Sequence, residues 1–191
     1  NLAGRADLEI SRLQLHPNDW YVRHARRILE ERAARGPLAS DALESLRKTA
    51  FEHAEETRRL RGLWALHATG NLGEEGAARA LKDHSAFVRA WAIQLAMESR
   101  SPSPALLASF ADLAKKDSSP VVRLYLASAC DRMAPNDRWA ILEEIVAHAE
   151  DAQDHNLPLM YWYAAEPLAG EDMEKALALA LRSKVPPLPS F

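Results

Sequence analysis

Apolar residues recur along this chain with the period of an α-helix. Val22, Ala25 and Leu29 fall on one helical face, as do Val88, Trp91 and Leu95, and again Val122, Tyr125 and Ala129. Between these sets lie further amphipathic stretches. Residues 104–116 align Leu106, Leu107, Phe110, Leu113 and Ala114, and residues 138–150 align Ile141, Leu142, Ile145, Val146 and Ala149. Helices are also predicted near 4–14, 40–54, 74–82 and 171–183. Turn signals divide them: Arg35-Gly36-Pro37, Gly70 to Gly73, Ser101 to Pro104, Ala134-Pro135-Asn136 and Ala169-Gly170. Alternating apolar and polar runs rich in Val, Thr and aromatics, which would mark strands, are missing. The predicted fold class is therefore all-α.

An internal repeat emerges when segments are aligned on a Val-Arg pair. Pro17 to Arg23, Glu55 to Arg61, Asp83 to Arg89 and Asp117 to Arg123 align, with a weaker copy from Asp154 to Met160. Four residues before each Arg or Met stand Asp19, Thr57, Ser85, Ser119 and Asn156. All five residue types cap helix N-termini, where a side-chain oxygen accepts an N–H that the first turn leaves unpaired. These caps are 38, 28, 34 and 37 residues apart, the period of a two-helix unit. Pro120 follows Ser119 at the first helical position, where its missing donor costs nothing. Six residues before the Arg or Met, four copies carry an acid: Glu55, Asp83, Asp117 and Asp154. With Arg23 and its counterparts these acids read as a structural ladder between interhelical turns.

One helix pair cannot cover its own apolar face, but stacked pairs share a core. The expected architecture is an α–α superhelix of about five helix pairs plus a terminal helix, one domain over residues 1–185. Its repeats are placed at about 4–30, 38–69, 73–98, 103–132 and 136–167, with the extra helix at 171–183. Residues 186–191 are read as a linker tail, since Val185-Pro186-Pro187-Leu188-Pro189 resists helix.

Composition narrows the function classes. The formal net charge is −3, and only six lysines occur, so nothing prepares a face for a phosphate backbone. No run of eighteen apolar residues could span a bilayer. The chain opens Asn-Leu-Ala-Gly, which reads as a fragment of a longer protein. The single cysteine, Cys130, excludes an internal disulfide and a Cys-x-x-Cys-His haem attachment, and its apolar helical setting reads as a buried, inert thiol.

The Asp/Val-Arg pattern resembles the HEAT repeat, a member of the HEAT/armadillo-like solenoids. Three longer strings are more specific: His16-Pro-Asn-Asp-Trp-Tyr-Val-Arg-His-Ala-Arg-Arg-Ile-Leu29, Leu60-Arg-Gly-Leu-Trp-Ala-Leu-His-Ala-Thr-Gly70 and Asp154-His-Asn-Leu-Pro-Leu-Met-Tyr-Trp-Tyr-Ala-Ala-Glu-Pro167. Together, over about residues 10–185, they resemble the helical-repeat segment of large secreted bacterial multidomain proteins of the membrane-bound dehydrogenase and haem-binding CxxCH type. That resemblance implies a periplasmic or cell-surface setting. It also implies a connector between a sugar-dehydrogenase-like β-propeller and a c-type cytochrome domain. It supplies no catalytic residue and no cofactor for this chain.

Candidate chemistry is sparse. His53-Ala-Glu55 and His148-Ala-Glu150 place their side chains about 200° apart on a helix, too divergent to chelate one metal. No Gly-x-Ser-x-Gly elbow and no Gly-rich phosphate loop occurs. The aromatics concentrate in the capped helices, where Arg and Trp suit a binding surface. The candidate binding face comprises Arg61, Trp64, His67, Arg89, Trp91, Arg123, Tyr125, His155, Asn156 and Tyr161. The expected function is a non-catalytic scaffold that binds a protein partner. The alternatives are a small-ligand or glycan module, with Asn156, Tyr161, Arg123 and His155 converging near the fifth repeat, and a HEAT-like DNA glycosylase using Arg61, Trp64, Arg89, Trp91 and Asp83.

Overall fold

A computed structural model describes residue 2 and residues 4–186. Among these residues every regular element is helical. In chain order they are α1 (Asp7–Arg12), α2 (Asp19–Ala33), α3 (Ser40–Glu52), α4 (Glu56–Ala68), α5 (Gly73–Ala80), α6 (Ala86–Ala96), α7 (Pro104–Lys116), α8 (Pro120–Cys130), α9 (Pro135–Ile145), α10 (Leu157–Ala165) and α11 (Met173–Arg182). Short 3-10 turns sit at Leu13–Leu15, Ala149–Gln153 and Glu166–Gly170. The chain is an all-α helical repeat built of two compact units, one ending at Val88 and the other starting at Arg89. Most of the predicted tail, residues 187–191, lies outside the described residues. Val185, just before it, is fully buried.

In the first unit α1 packs on α2 and α3, α2 on α4, and α3 on α4. Their shared core holds Ile10, Val22, Ala25, Leu29, Leu46, Leu63 and Leu66, all at most 1% exposed. Removing each large apolar side chain from water contributes about 1.5–3 kcal/mol. The α3–α4 contact is unusually close because Gly62 faces Ala50. A Cβ at Gly62 would stand 2.5 Å from the Ala50 nitrogen. Helix α4 ends where Gly70 takes a left-handed φ of 70°. There the Asn71 N–H reaches the Leu66 carbonyl and the Gly70 N–H reaches that of His67, both at 2.8 Å, satisfying two carbonyls of the last turn.

In the second unit α8 packs on α7, α9 and α10, and α7 on α9. Phe110, Val122, Leu126, Cys130, Ile141, Leu142, Ile145 and Tyr161 fill its core. Helix α9 is shorter than the apolar periodicity predicts. It stops at Ile145, and Ala149 opens a separate 3-10 turn with its side chain exposed. Lys184 then donates its N–H to the Val146 carbonyl at 2.9 Å, fastening the segment after α11 to the end of α9.

Candidate functional site

Five helices, α2, α4, α6, α8 and α10, begin with the same small turn. A side chain three residues before the first helical residue accepts the N–H two residues on. The pairs are His16 Nδ1 with Asn18 (3.0 Å), His53 Nδ1 with Glu55 (3.1 Å), Asp83 Oδ1 with Ser85 (2.7 Å), Asp117 Oδ1 with Ser119 (3.0 Å) and Asp154 Oδ1 with Asn156 (2.8 Å). The cap positions are therefore Asn18, Glu55, Ser85, Ser119 and Asn156.

Four of the expected caps are corrected: Ser119 and Asn156 hold the cap position but their side chains accept no first-turn N–H, and Asp19 and Thr57 lie inside their helices. Asp19 is the first residue inside α2, and the Asn18 side chain accepts the Trp20 N–H instead. Thr57 lies in the first turn of α4. Aligning on Arg shifted these two copies by one and two residues. The structurally equivalent positions are Val22, Arg59, Arg89, Arg123 and Met160.

That correction reshapes the ladder. Arg59 reaches Asp83 with two nitrogens, at 2.8 and 3.0 Å, and also donates to the carbonyls of His53 and Ala54. Arg89 holds Asp117 in the same way, at 2.7 and 2.8 Å. Arg123 holds Asp151 with Nε at 2.6 Å and donates to the Asp117 carbonyl. Arg59 and Arg123 thus clip one interhelical turn to the next, and all three forks make the planar fit a guanidinium offers a carboxylate.

Three expected rungs fall away. Arg23 is exposed and pairs with Asp19 on its own helix. Glu55 meets only Arg58, three residues on, at 3.5 Å. Asp154 spends its carboxylate on the N–H groups of Asn156 and Leu157, which hold its pKa below the usual value. Asp151 takes the place of Asp154 because the Ala149–Gln153 turn carries it inward. No periodicity marks that irregular turn.

Around Arg123 the interior is polar and closed. Tyr161 is fully buried and donates its hydroxyl to Asp151 Oδ2 at 2.6 Å. Burial, then the hydrogen bond and charge of Asp151, push the Tyr161 pKa well above its ordinary value. Burial alone would lower the pKa of Arg123, but the hydrogen bond and charge of Asp151 outweigh it and raise it. The expected ligand pocket of Asn156, Tyr161, Arg123 and His155 is corrected accordingly. Tyr161 and Arg123 point into the core, while His155 and Asn156 are exposed at the turn before α10.

In the first unit, Arg61 donates to the His16 carbonyl at 3.0 Å and pairs with Asp19 at 3.2 Å. Trp64 lies half-buried under the Arg26 guanidinium, which sits 5.2 Å from the ring centre. His67 is half-buried on the same helix. An open groove of about 700 Å³ borders α1 and α3, with Arg12, Glu44, Lys48 and Glu52 along it.

The second unit carries a different surface. A cleft of about 410 Å³ is lined by Trp91 and Gln94 of α6, Leu124, Tyr125 and Ser128 of α8, and Met160 of α10. The Trp91 and Tyr125 rings lie 6.4 Å apart and tilted by 53°, forming a V. Helices α6, α8 and α10 contain just two charged residues, Arg89 and Arg123. Both forks are engaged with Asp117 and Asp151. The walls of the cleft are therefore uncharged, and its lining residues with polar groups are Gln94, Ser128, Tyr125 through its hydroxyl and Trp91 through its indole N–H. Sequence reasoning found Trp91 and Tyr125 but missed Gln94, Leu124, Ser128 and Met160. The near-absence of charge in these three helices was the signal available.

Among the described residues no group of three or more His, Cys, Asp or Glu could hold a metal ion. No described helix is long and apolar enough to cross a membrane. Fold and cleft together define a helical-repeat protein whose second unit carries an uncharged aromatic cleft on α6, α8 and α10. Comparison of the chain with family models, curated proteins and solved structures finds no match.

Proposed function

We propose that this chain is a non-catalytic binding module that docks a protein partner on the α6–α8–α10 face. The observation that carries this reading is the cleft itself: half-buried Trp91 and Tyr125 on helices whose only charges are tied up internally. A face of this kind gains from burying aromatic area and pays little for desolvating charge. The resemblance to HEAT segments of secreted multidomain redox proteins fits this role. It makes the flanking β-propeller and cytochrome domains the proposed partners and the periplasm or cell surface the proposed setting.

The other readings draw less support. DNA recognition needs free cations, and the residues cast for it are engaged within the chain: Arg89 with Asp117, Asp83 with Arg59, and Arg61 with Asp19. A glycan could stack on Trp91, with Gln94 and Ser128 as its hydrogen-bonding partners in the cleft.

The test is a calorimetric titration of the chain against each proposed flanking domain. Saturable binding, weakened about tenfold or more by Trp91→Ala, supports the reading, since central aromatics dominate such interfaces. Absence of binding to either domain, or binding indifferent to Trp91, contradicts it.

A further inference from the structure

Arg26 of α2 lies half-buried over the ring of Trp64 from α4, 5.2 Å from its centre. Its Nε is sealed from solvent and has no acceptor. Among the described residues no oxygen bonds any of its three nitrogens, and no acid pairs with it. A buried donor left in this way costs free energy, so such groups are few in folded chains. The two terminal nitrogens are not sealed off. They make up the outward edge of the guanidinium, with N–H groups side by side.

The neighbours add charge rather than relieve it. Arg23 stands one turn earlier on the same face of α2 and is largely exposed. It pairs with Asp19 at 2.6 Å, and Arg61 of α4 takes the other oxygen of Asp19 at 3.2 Å. Three guanidinium groups thus surround one carboxylate. Burial lowers the Arg26 pKa, the charge of Asp19 opposes that, and Arg61 and Arg23 lower it further.

The open edge suits an anion with two oxygens in one plane. A carboxylate lays both oxygens along such an edge, as Asp83 does on Arg59 and Asp117 on Arg89 within this chain. It also carries a single charge. A phosphate carries more and meets more repulsion from Asp19. Trp64 keeps water from one face of the guanidinium, which strengthens an ion pair formed at its edge.

We infer that Arg26, with Arg23 beside it, is a binding site for a carboxylate, brought by a small organic acid or by an acidic side chain of a partner. The site belongs to the first unit, and the reading of the Trp91–Tyr125 cleft stands or falls without it.

The test is a titration of the full chain with succinate, with an end-blocked Glu-Glu dipeptide and with inorganic phosphate, at one pH and ionic strength. The readout is the indole N–H resonance of Trp64, assigned through Trp64→Phe. It should shift saturably with a carboxylate probe, and the affinity should fall about tenfold or more in Arg26→Gln. Arg26→Lys keeps the charge but loses the two-pronged edge, so it should also bind more weakly. Arg23→Gln, at an exposed position, should weaken binding independently. A preference for the dipeptide assigns the carboxylate to a protein partner, and equal or tighter binding of succinate assigns it to a small acid. No saturable shift with either carboxylate overturns the inference. So does a response that phosphate reproduces at the same concentrations, or binding that survives both Arg26→Gln and Arg23→Gln.

Discussion

Arg123 and Asp151 form a two-pronged pair in the interior of the second unit, with side chains 1% and 3% exposed. The same carboxylate takes the Tyr161 hydroxyl, so one acid satisfies two buried groups from α8 and α10. Asp151→Ala would strand a buried guanidinium and a buried phenol. We expect a loss of about 3–5 kcal/mol in denaturant unfolding. Replacing both ends of the pair, Arg123→Met with Asp151→Leu, should recover much of that loss, because the unpaired charge is then gone. A double variant as unstable as Asp151→Ala would show that the pair is not the source of the effect.

Gly62 offers a test with an unusual sign. Inside an exposed helix, Gly→Ala gains about 1 kcal/mol. Here the new Cβ would meet backbone atoms of Ala50 at 2.5 and 2.8 Å. Gly62→Ala should therefore destabilise the chain by about 1–3 kcal/mol, the range for overpacking. An unchanged or raised melting temperature would mean that α3 and α4 are not so closely apposed.

These two positions also show what the sequence could and could not reveal. The helical class, the core of α2 and the choice of Asp83 and Asp117 as ladder acids follow from apolar spacing and local residue types, whereas Tyr125, aligned with Val122 and Ala129 by its spacing, lines the cleft, and Arg89, expected on the binding face, holds Asp117 instead. Arg59 was hidden because Arg61 stands two residues away and completes the same motif by eye. His16 and His53 were hidden because an imidazole nitrogen does the work that Asp does in the other three turns. Asp151 lies in a 3-10 turn with no periodicity to read. The cleft was half legible. Its rings stood out, but its most telling property is missing charge.

Acid should act on the turn before α10. The Asp154 carboxylate sits below its ordinary pKa of 3.8 because the N–H groups of Asn156 and Leu157 bond its charged form. A depressed folded-state value means its contribution is present above the unfolded pKa and is lost as pH falls through the folded one. Stability measured from pH 5 downward should therefore decline less steeply in Asp154→Asn. An unaltered acid limb would show that this carboxylate is not linked to folding.

Cys130 is fully buried, and burial pushes its thiol up to about 12. The thiolate is the reactive form. A thiol reagent at pH 8 should label the folded chain at the rate of unfolding and the denatured chain at once. Rapid labelling of the folded chain would contradict the packing around α8.

The binding face admits the most direct test of all. A photo-crosslinking side chain placed at Ser128, inside the cleft, can be compared with one placed at Lys48, in the open groove of the first unit. With the chain joined to its proposed flanking domains, the Ser128 probe should capture one of them at a defined site, and Trp91→Ala should reduce the yield. Capture from Lys48 alone, or from neither position, would contradict the assignment of the α6–α8–α10 face.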